Sequence, residues 1–225
     1  MPCGRRCGLR SAKPAEESRS VPHCGCGGGR MIIGITGGTG CGKTTLLNLI
    51  EEMGGTALDC DRIYHQLLQT DSSLTQAIDA RFPGTVEEGV LNRKKLGSIV
   101  FSDENALKDL NRITHHAVKK EVLHRLENTP ALAAIDAIGL FEGELAPLCD
   151  VTVFVSAPLE DRVLRLMQRD GISKEYAAAR IAAQHSDRWF QEKCHHTLYN
   201  NGDFVAFRAK CIAFLTSLGI MKEKP

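Results

Sequence analysis

The sequence has no apolar run approaching the roughly 20 residues that a membrane-spanning helix needs, so nothing in it predicts a helical membrane protein. It also lacks an excess of either charge. With 28 Lys and Arg against 27 Asp and Glu, the formal net charge is +1. No global field draws such a chain to nucleic acid or to a membrane surface, and attraction for an anion must come from local clusters of Lys and Arg. The long apolar stretch of a secretory leader is missing from the first residues. Ligand-like spacing is missing among Cys41, Cys60, Cys149, Cys194 and Cys211, which predicts free thiols of a reducing cytoplasm rather than a disulfide framework.

What remains is an ordinary globular composition, 43% hydrophobic and 24% charged, in a chain of 225 residues. That length suits one substantial domain with an appended lobe. Residues 1–30 stand apart. They are rich in Gly, Arg, Cys and Ser without hydrophobic periodicity, and are expected to form a disordered extension. Cys3, Cys7, His23, Cys24 and Cys26 could in principle hold zinc, but one residue separates Cys24 from Cys26 where structural sites usually place two to four. From Met31 the pattern becomes strand–loop–helix. Apolar runs at 31–36, 56–58, 132–135, 151–155 and 197–199 are strand candidates, and helical spacing follows at 43–53 and through most of 62–128. Alternation of this kind predicts an α/β fold with a parallel sheet covered on both faces, and ligands at the carboxyl ends of its strands.

Residues 37–44, Gly-Gly-Thr-Gly-Cys-Gly-Lys-Thr, satisfy G-x-x-x-x-G-K-S/T between an apolar strand and a helix. Glycines let the backbone curl into a nest of N–H donors, and the following helix adds its positive end. Gly38, Gly40, Cys41, Gly42, Lys43, Thr44 and Thr45 are therefore expected to bind a nucleoside triphosphate. Lys43 would reach the β- and γ-phosphates, and the Thr44 hydroxyl would ligate Mg²⁺. Asp136-Ala-Ile-Gly139 resembles a GTPase D-x-x-G switch, but the guanine-reading N-K-x-D is missing from the sequence. The alternative reading is an acid near the metal at a strand end. Asp59-Cys-Asp61 follows the second strand, where an acid can take a proton from an attacking hydroxyl; Asp61 could instead be a helix N-cap before residues 62–68. Arg162, Arg165 and Arg169 fall at i, i+3 and i+7, either as a cationic lid over a nucleotide or as a solvated basic face.

These segments together resemble the dephospho-CoA kinase family from Met31 onward. MIIGITGGTGCGKTT is similar to the family's T-G-G-I-G-S-G-K-S-T, with Thr39, Cys41 and Thr44 as departures. Leu58-Asp-Cys-Asp61-Arg-Ile63 resembles I-D-A-D-x-I, which carries the base onto Asp61. Leu110-Asn-Arg-Ile-Thr-His115 resembles L-N-x-I-x-H-P, Leu140-Phe-Glu142 the L-L-F-E segment, and Asn200-Asn-Gly202 the N-x-G near the adenine pocket. Leu166-Met-Gln-Arg169-Asp170 and Arg180-Ile-Ala-Ala-Gln184 resemble the lid. His116 stands where a proline is usual, and Ala137-Ile-Gly139 replaces a P-L-L. The resemblance implies a kinase domain over 31–220, with a helical CoA-binding lobe at about 62–128 and a lid at about 165–190. It implies ATP and dephospho-CoA as substrates and Mg²⁺ as cofactor. Asp61, Lys43, Arg165 and Arg169 would be catalytic, Asn200 would lie at the ATP site, and Asp59 and His115 at the acceptor. The alternatives are a nucleoside or nucleotide kinase and a nucleotide switch without transfer chemistry.

A protein beginning at Met31 is expected to match the full chain in melting temperature and in ATP consumption. Loss of either, or zinc bound stoichiometrically through the four early cysteines, would show that residues 1–30 form a working module.

Overall fold

The computed structural model describes residues 30–129 and 131–221, so the expectation for residues 1–30 falls almost wholly outside the described part. Five parallel strands form the central sheet: β1 (Met31–Thr36), β2 (Thr56–Asp59), β5 (Leu132–Asp136), β6 (Val151–Ser156) and β7 (His196–Tyr199). Their spatial order is β2-β5-β1-β6-β7. The weak apolar run at 197–199 is thus a genuine edge strand. Successive side chains of β1 and β5 enter opposite cores, as the two-residue period of a strand requires. Ile32, Ala133 and Ile135 face one core, while Ile33, Ile35 and Ala134 face the other. Both faces are covered, so the central strands β1, β5 and β6 are mostly apolar instead of alternating with polar residues, and the hydroxyl groups of Thr36, Thr152 and Ser156 lie on buried residues.

Helix α1 (Lys43–Glu52) packs Leu46, Leu47, Leu49 and Ile50 against one face together with α9 (Phe204–Ser217). The other face carries α2 (Cys60–Thr70), α3 (Ser72–Arg81), α4 (Arg93–Val100) and the 24-residue α5 (Glu104–Glu127). Between α3 and α4 lies a short antiparallel hairpin, β3 (Val86–Glu87) and β4 (Val90–Leu91), which helical periodicity does not announce. Its tip, Glu88 and Gly89, has positive φ at both residues, the geometry that matches strand twist in tight hairpins. After β6, α6 (Leu159–Asp170) and α7 (Lys174–Ala182) form a helical pair around Val163, Leu166, Ala177 and Ile181. A further short helix, α8 (Asp187–Lys193), returns the chain to β7.

Register decides where chemistry can occur. Asp59 at the end of β2 stands beside Asp136 at the end of β5, and Asp136 pairs in turn with Ile35 of β1. Two carboxylates and the loop after β1 therefore share one edge of the sheet. The five cysteines in the described residues are free. Burial pushes the thiols of Cys149 and Cys194 up to about 12 and that of Cys211 up to about 11, so they are inert packing groups.

Candidate active site

The loop between β1 and α1 is shaped by glycines that no other residue could replace without movement. Gly37 has φ +142, and a Cβ there would lie 2.3 Å from the Val155 carbonyl oxygen. Gly42 has φ +96, and a Cβ would lie 2.4 Å from Asn200 Nδ2. Gly42 is also the N-cap of α1, and no side chain caps that helix. Its positive end thus opens on the cleft, the arrangement that receives a phosphate.

Four loop carbonyls are occupied by side chains. Lys43 Nζ donates to Gly37 O at 3.1 Å and Arg162 Nε to Thr39 O at 3.0 Å. Arg165 Nη1 donates to Gly40 O at 3.0 Å, and Asn200 Nδ2 to Cys41 O at 2.9 Å. Gln184 accepts from Thr39 N at 3.0 Å and donates to Thr39 Oγ1 at 2.6 Å. A carbonyl held by a side chain also fixes the N–H on the opposite side of its planar peptide, so these contacts set the conformation of the loop.

Some sequence expectations change here. Arg162, which its spacing groups with the lid cations, is 7% exposed and braces the loop, with Asp187 Oδ1 3.9 Å from its Nη1. Spacing of i, i+3 and i+7 puts three arginines on one broad face, but α6 packs the first of them inward against Thr39. Asn200, buried beneath Cys41, is likewise tied to the loop backbone. Cys41 presents only backbone to the loop, because its side chain lies in the apolar core. The Thr45 N–H is taken by Gly42 O at 3.1 Å. Asp61 is not at the strand end or at a cap: the cap of α2 is Asp59, whose Oδ1 accepts from Arg62 N at 3.0 Å, and Asp61 sits in the first turn.

A cleft of about 500 Å³ is lined by Gly40, Gly42, Lys43, Thr44, Asp61, Arg165 and Arg169, with Gln168 and Arg180 added from the helical pair. Beside it, a second cavity of about 300 Å³ is lined by Asp61, Tyr64, Asn111, Thr114, His115 and Ile138. Asp61 and Ile138 form the wall common to both. His115 and Asn111 also border a third, open groove of about 860 Å³ along α5, with Lys108, Arg112 and Lys119. Asp59 lines none of these cavities. Asn111 and Gln168 lie in segments that resemble the family's without being singled out there, Tyr64 lies in none of them, and only the fold brings all three to the site.

The charges are strongly coupled. Lys43 Nζ lies 3.8 Å from Asp136 Oδ1, both nearly buried. Burial works against the Lys43 ammonium, but Asp136, with Asp61 and Asp59 behind it, more than compensates and raises its pKa. Burial likewise pushes Asp136 up to about 6 despite Lys43, aided by repulsion from Asp59 and Asp61. Arg169 and Arg180 are both held by Asp170, at 2.7 Å and 2.8 Å, and these cations pull that exposed carboxyl down to about 2.

A parallel sheet with a phosphate loop, its lysine, acids at the strand ends and an arginine-bearing helical pair defines a P-loop kinase. The family model for dephospho-CoA kinase matches residues 31–205, and the chain belongs to that family. The dephospho-CoA kinase of Carboxydothermus hydrogenoformans is 36% identical over 159 residues, covering 68% of this chain and 77% of that protein. That of Moorella thermoacetica is 33% identical, covering 80% and 88%. Among solved structures, a Thermus thermophilus protein superposes with a TM-score of 0.74 at 29% identity, over 84% of this chain and 98% of its own. The Campylobacter jejuni dephospho-CoA kinase gives 0.60 at 25%, with the same coverage.

The raised pKa of Asp136 has a measurable sign. The folded protein holds this proton more tightly than the unfolded chain, whose group titrates near 3.8, so ionising Asp136 costs stability. The cost is absent below the unfolded value, grows as pH rises through about 6 and is complete above it. By the usual conversion it reaches at most about 3 kcal/mol. In ligand-free protein, Asp136→Asn is expected to melt above wild type at pH 7.5, with the gap narrowing toward pH 5. A variant that melts lower at pH 7.5 would contradict the charge balance described.

Proposed function

We propose that this chain transfers the γ-phosphoryl group of ATP to the ribose 3′-hydroxyl of dephospho-CoA, giving coenzyme A, with Asp61 as the residue that meets both substrates. The observation that carries this reading is the shared wall: one carboxylate borders the phosphate cleft and the neighbouring cavity beneath α5. The family supplies the reaction, ATP-dependent phosphorylation of dephospho-CoA at the last step of coenzyme A synthesis. The site supplies a division of labour.

Phosphoryl transfer needs positioning and charge neutralisation more than covalent chemistry. Lys43 and the N–H groups around Gly38, Gly40, Cys41 and Gly42 would hold the β- and γ-phosphates. Arg165 and Arg169 would meet charge developing on the transferred group, with Arg169 exchanging Asp170 for phosphate oxygen. Asp61 would orient the hydroxyl and accept its proton. His115 and Asn111, shared by the acceptor cavity and the groove along α5, would guide the rest of dephospho-CoA past Lys119 and Arg112. Residues 62–128 then serve as acceptor lobe and about 165–190 as lid, in a cytoplasmic enzyme. No described helix is long and apolar enough to cross a membrane.

The donor set fits Mg²⁺. Thr44 lines the cleft, and Asp136 carries a repelled, proton-holding carboxyl that a divalent cation would relieve. Among the described residues no three His, Cys, Asp or Glu side chains converge on one point, which suits an ion that takes most of its ligands from phosphate and water. When bound, Mg²⁺ supplies charge neutralisation at the phosphates.

Three variants test the assignment by steady-state kinetics with dephospho-CoA, AMP, uridine and cytidine as competing acceptors. Only dephospho-CoA is expected to accelerate ATP consumption. Lys43→Ala should keep the fold and lose most activity, since a charge aimed at the transferring group is worth several kcal/mol. Asp61→Asn should lower kcat by roughly 10²–10⁴, nearer the low end because loose transfer needs late proton removal. Asp59→Asn should cost less, because its carboxylate caps α2. Asp61→Asn retaining more than about a tenth of kcat, or Asp59 proving costlier, would defeat the role given to Asp61.

A further inference from the structure

Adjacent residues where α7 gives way to α8 are fastened to two different places. Gln184 is bound to Thr39 of the phosphate loop through both its amide atoms, and its Oε1 also accepts from Arg162 Nη2 at 2.9 Å. His185 reaches the opposite way: its Nε2 lies 2.6 Å from Glu142 Oε1. Glu142 follows β5 in the segment that borders the α5 groove, together with His115 and Lys119. The His185 ring lies flat on Trp189 of α8, with centroids 3.8 Å apart and planes 7° from parallel. Trp189 in turn meets the edge of Phe141, next to Glu142, at 5.7 Å. The segment that closes the helical pair is thus pinned on one side to the nucleotide loop and on the other to the wall of the acceptor groove.

We propose that Glu142 and His185 are a positioning pair that couples seating of the acceptor to closure of the lid over the nucleotide. The inference rests on the acceptor site given above. Two attachments on consecutive residues, with Cα atoms about 3.8 Å apart, leave little slack between them. A movement of the groove wall that carries Glu142 therefore reaches Gln184 and the Thr39 N–H. The pair is too exposed to matter for stability: its side chains are 47% and 37% accessible, and ion pairs of that kind contribute little to folding. Its value lies in connection, and coupling between two ligands must be reciprocal.

The chain has a single tryptophan, Trp189, so its tryptophan emission, excited beyond the tyrosine band, reports this junction alone. Calorimetry would give the Kd of a non-hydrolysable ATP analogue with and without saturating dephospho-CoA. In wild type, dephospho-CoA is expected to tighten the analogue by about fivefold or more, within the usual range of coupling, and to change Trp189 emission when added alone. Glu142→Gln should bring that ratio to within about twofold of unity and abolish the emission change. Its melting temperature and its Kd for the analogue alone should stay at wild-type values. His185→Gln removes the same contact from the other side and carries the test if Glu142→Gln does not fold. A wild-type ratio of one, or variants that keep the wild-type ratio and emission change, would overturn the coupling. Turnover of dephospho-CoA by wild type in the same preparation separates that failure from failure of the functional reading, which would remove this inference with it.

Discussion

The site depends on loop carbonyl groups being occupied by side chains from far along the chain. A glycine-rich loop has as many acceptors as donors, and an inward carbonyl would repel the phosphate that an inward N–H attracts. Here the carbonyls of Thr39, Gly40 and Cys41 are occupied by Arg162, Arg165 and Asn200, which lie 123, 125 and 159 residues further along the chain. The glycines give the loop its freedom, but the distant side chains choose the conformation. The loop is therefore a product of the completed fold. The base of the helical pair is part of the phosphate site before any ligand arrives, since Arg162 and Gln184 are already engaged with Thr39.

A second constraint is charge crowding at the carboxyl edge of the sheet. Parallel register places Asp59 abreast of Asp136, and α2 begins at once, so Asp61 joins them. Lys43 offsets part of this, but Asp136 still holds its proton up to about 6 because it is buried. Such an arrangement is poor for stability and good for binding. Energy withheld from the free protein becomes available when cationic charge enters with the nucleotide. The same logic applies at Asp170, which occupies Arg169 and Arg180 and, in the proposed mechanism, would yield Arg169 to phosphate oxygen.

Much of this was legible from residues alone. The runs at 31–36, 132–135 and 151–155 are apolar but for Thr36 and Thr152, because strands buried on both faces have little room for polar side chains. The phosphate loop was readable because its motif requires both a strand before it and a helix after it. The rest failed for identifiable reasons. The 86–91 hairpin is only two residues long on each side, below the length at which alternation registers. Arg162 looks like a lid cation in a helical projection, and only the packing of α6 on Thr39 reveals it as a brace. Asp59 and Asp61 compete for the cap of α2, and sequence cannot say which wins; the structure gives the cap to Asp59 and leaves Asp61 facing the cavities. His185 and Glu142 stand 43 residues apart in unrelated segments, so no local pattern could join them.

In the proposed mechanism one carboxylate, Asp61, presents a ribose hydroxyl in line with the phosphate of ATP. The most direct measurement follows the fate of that phosphoryl group by phosphorus NMR in a single reaction of ATP, Mg²⁺ and dephospho-CoA. The account predicts one new 3′-phosphomonoester signal on the acceptor, growing in step with ADP and without free phosphate. ADP accompanied by inorganic phosphate, or a monoester at any other position, would contradict it.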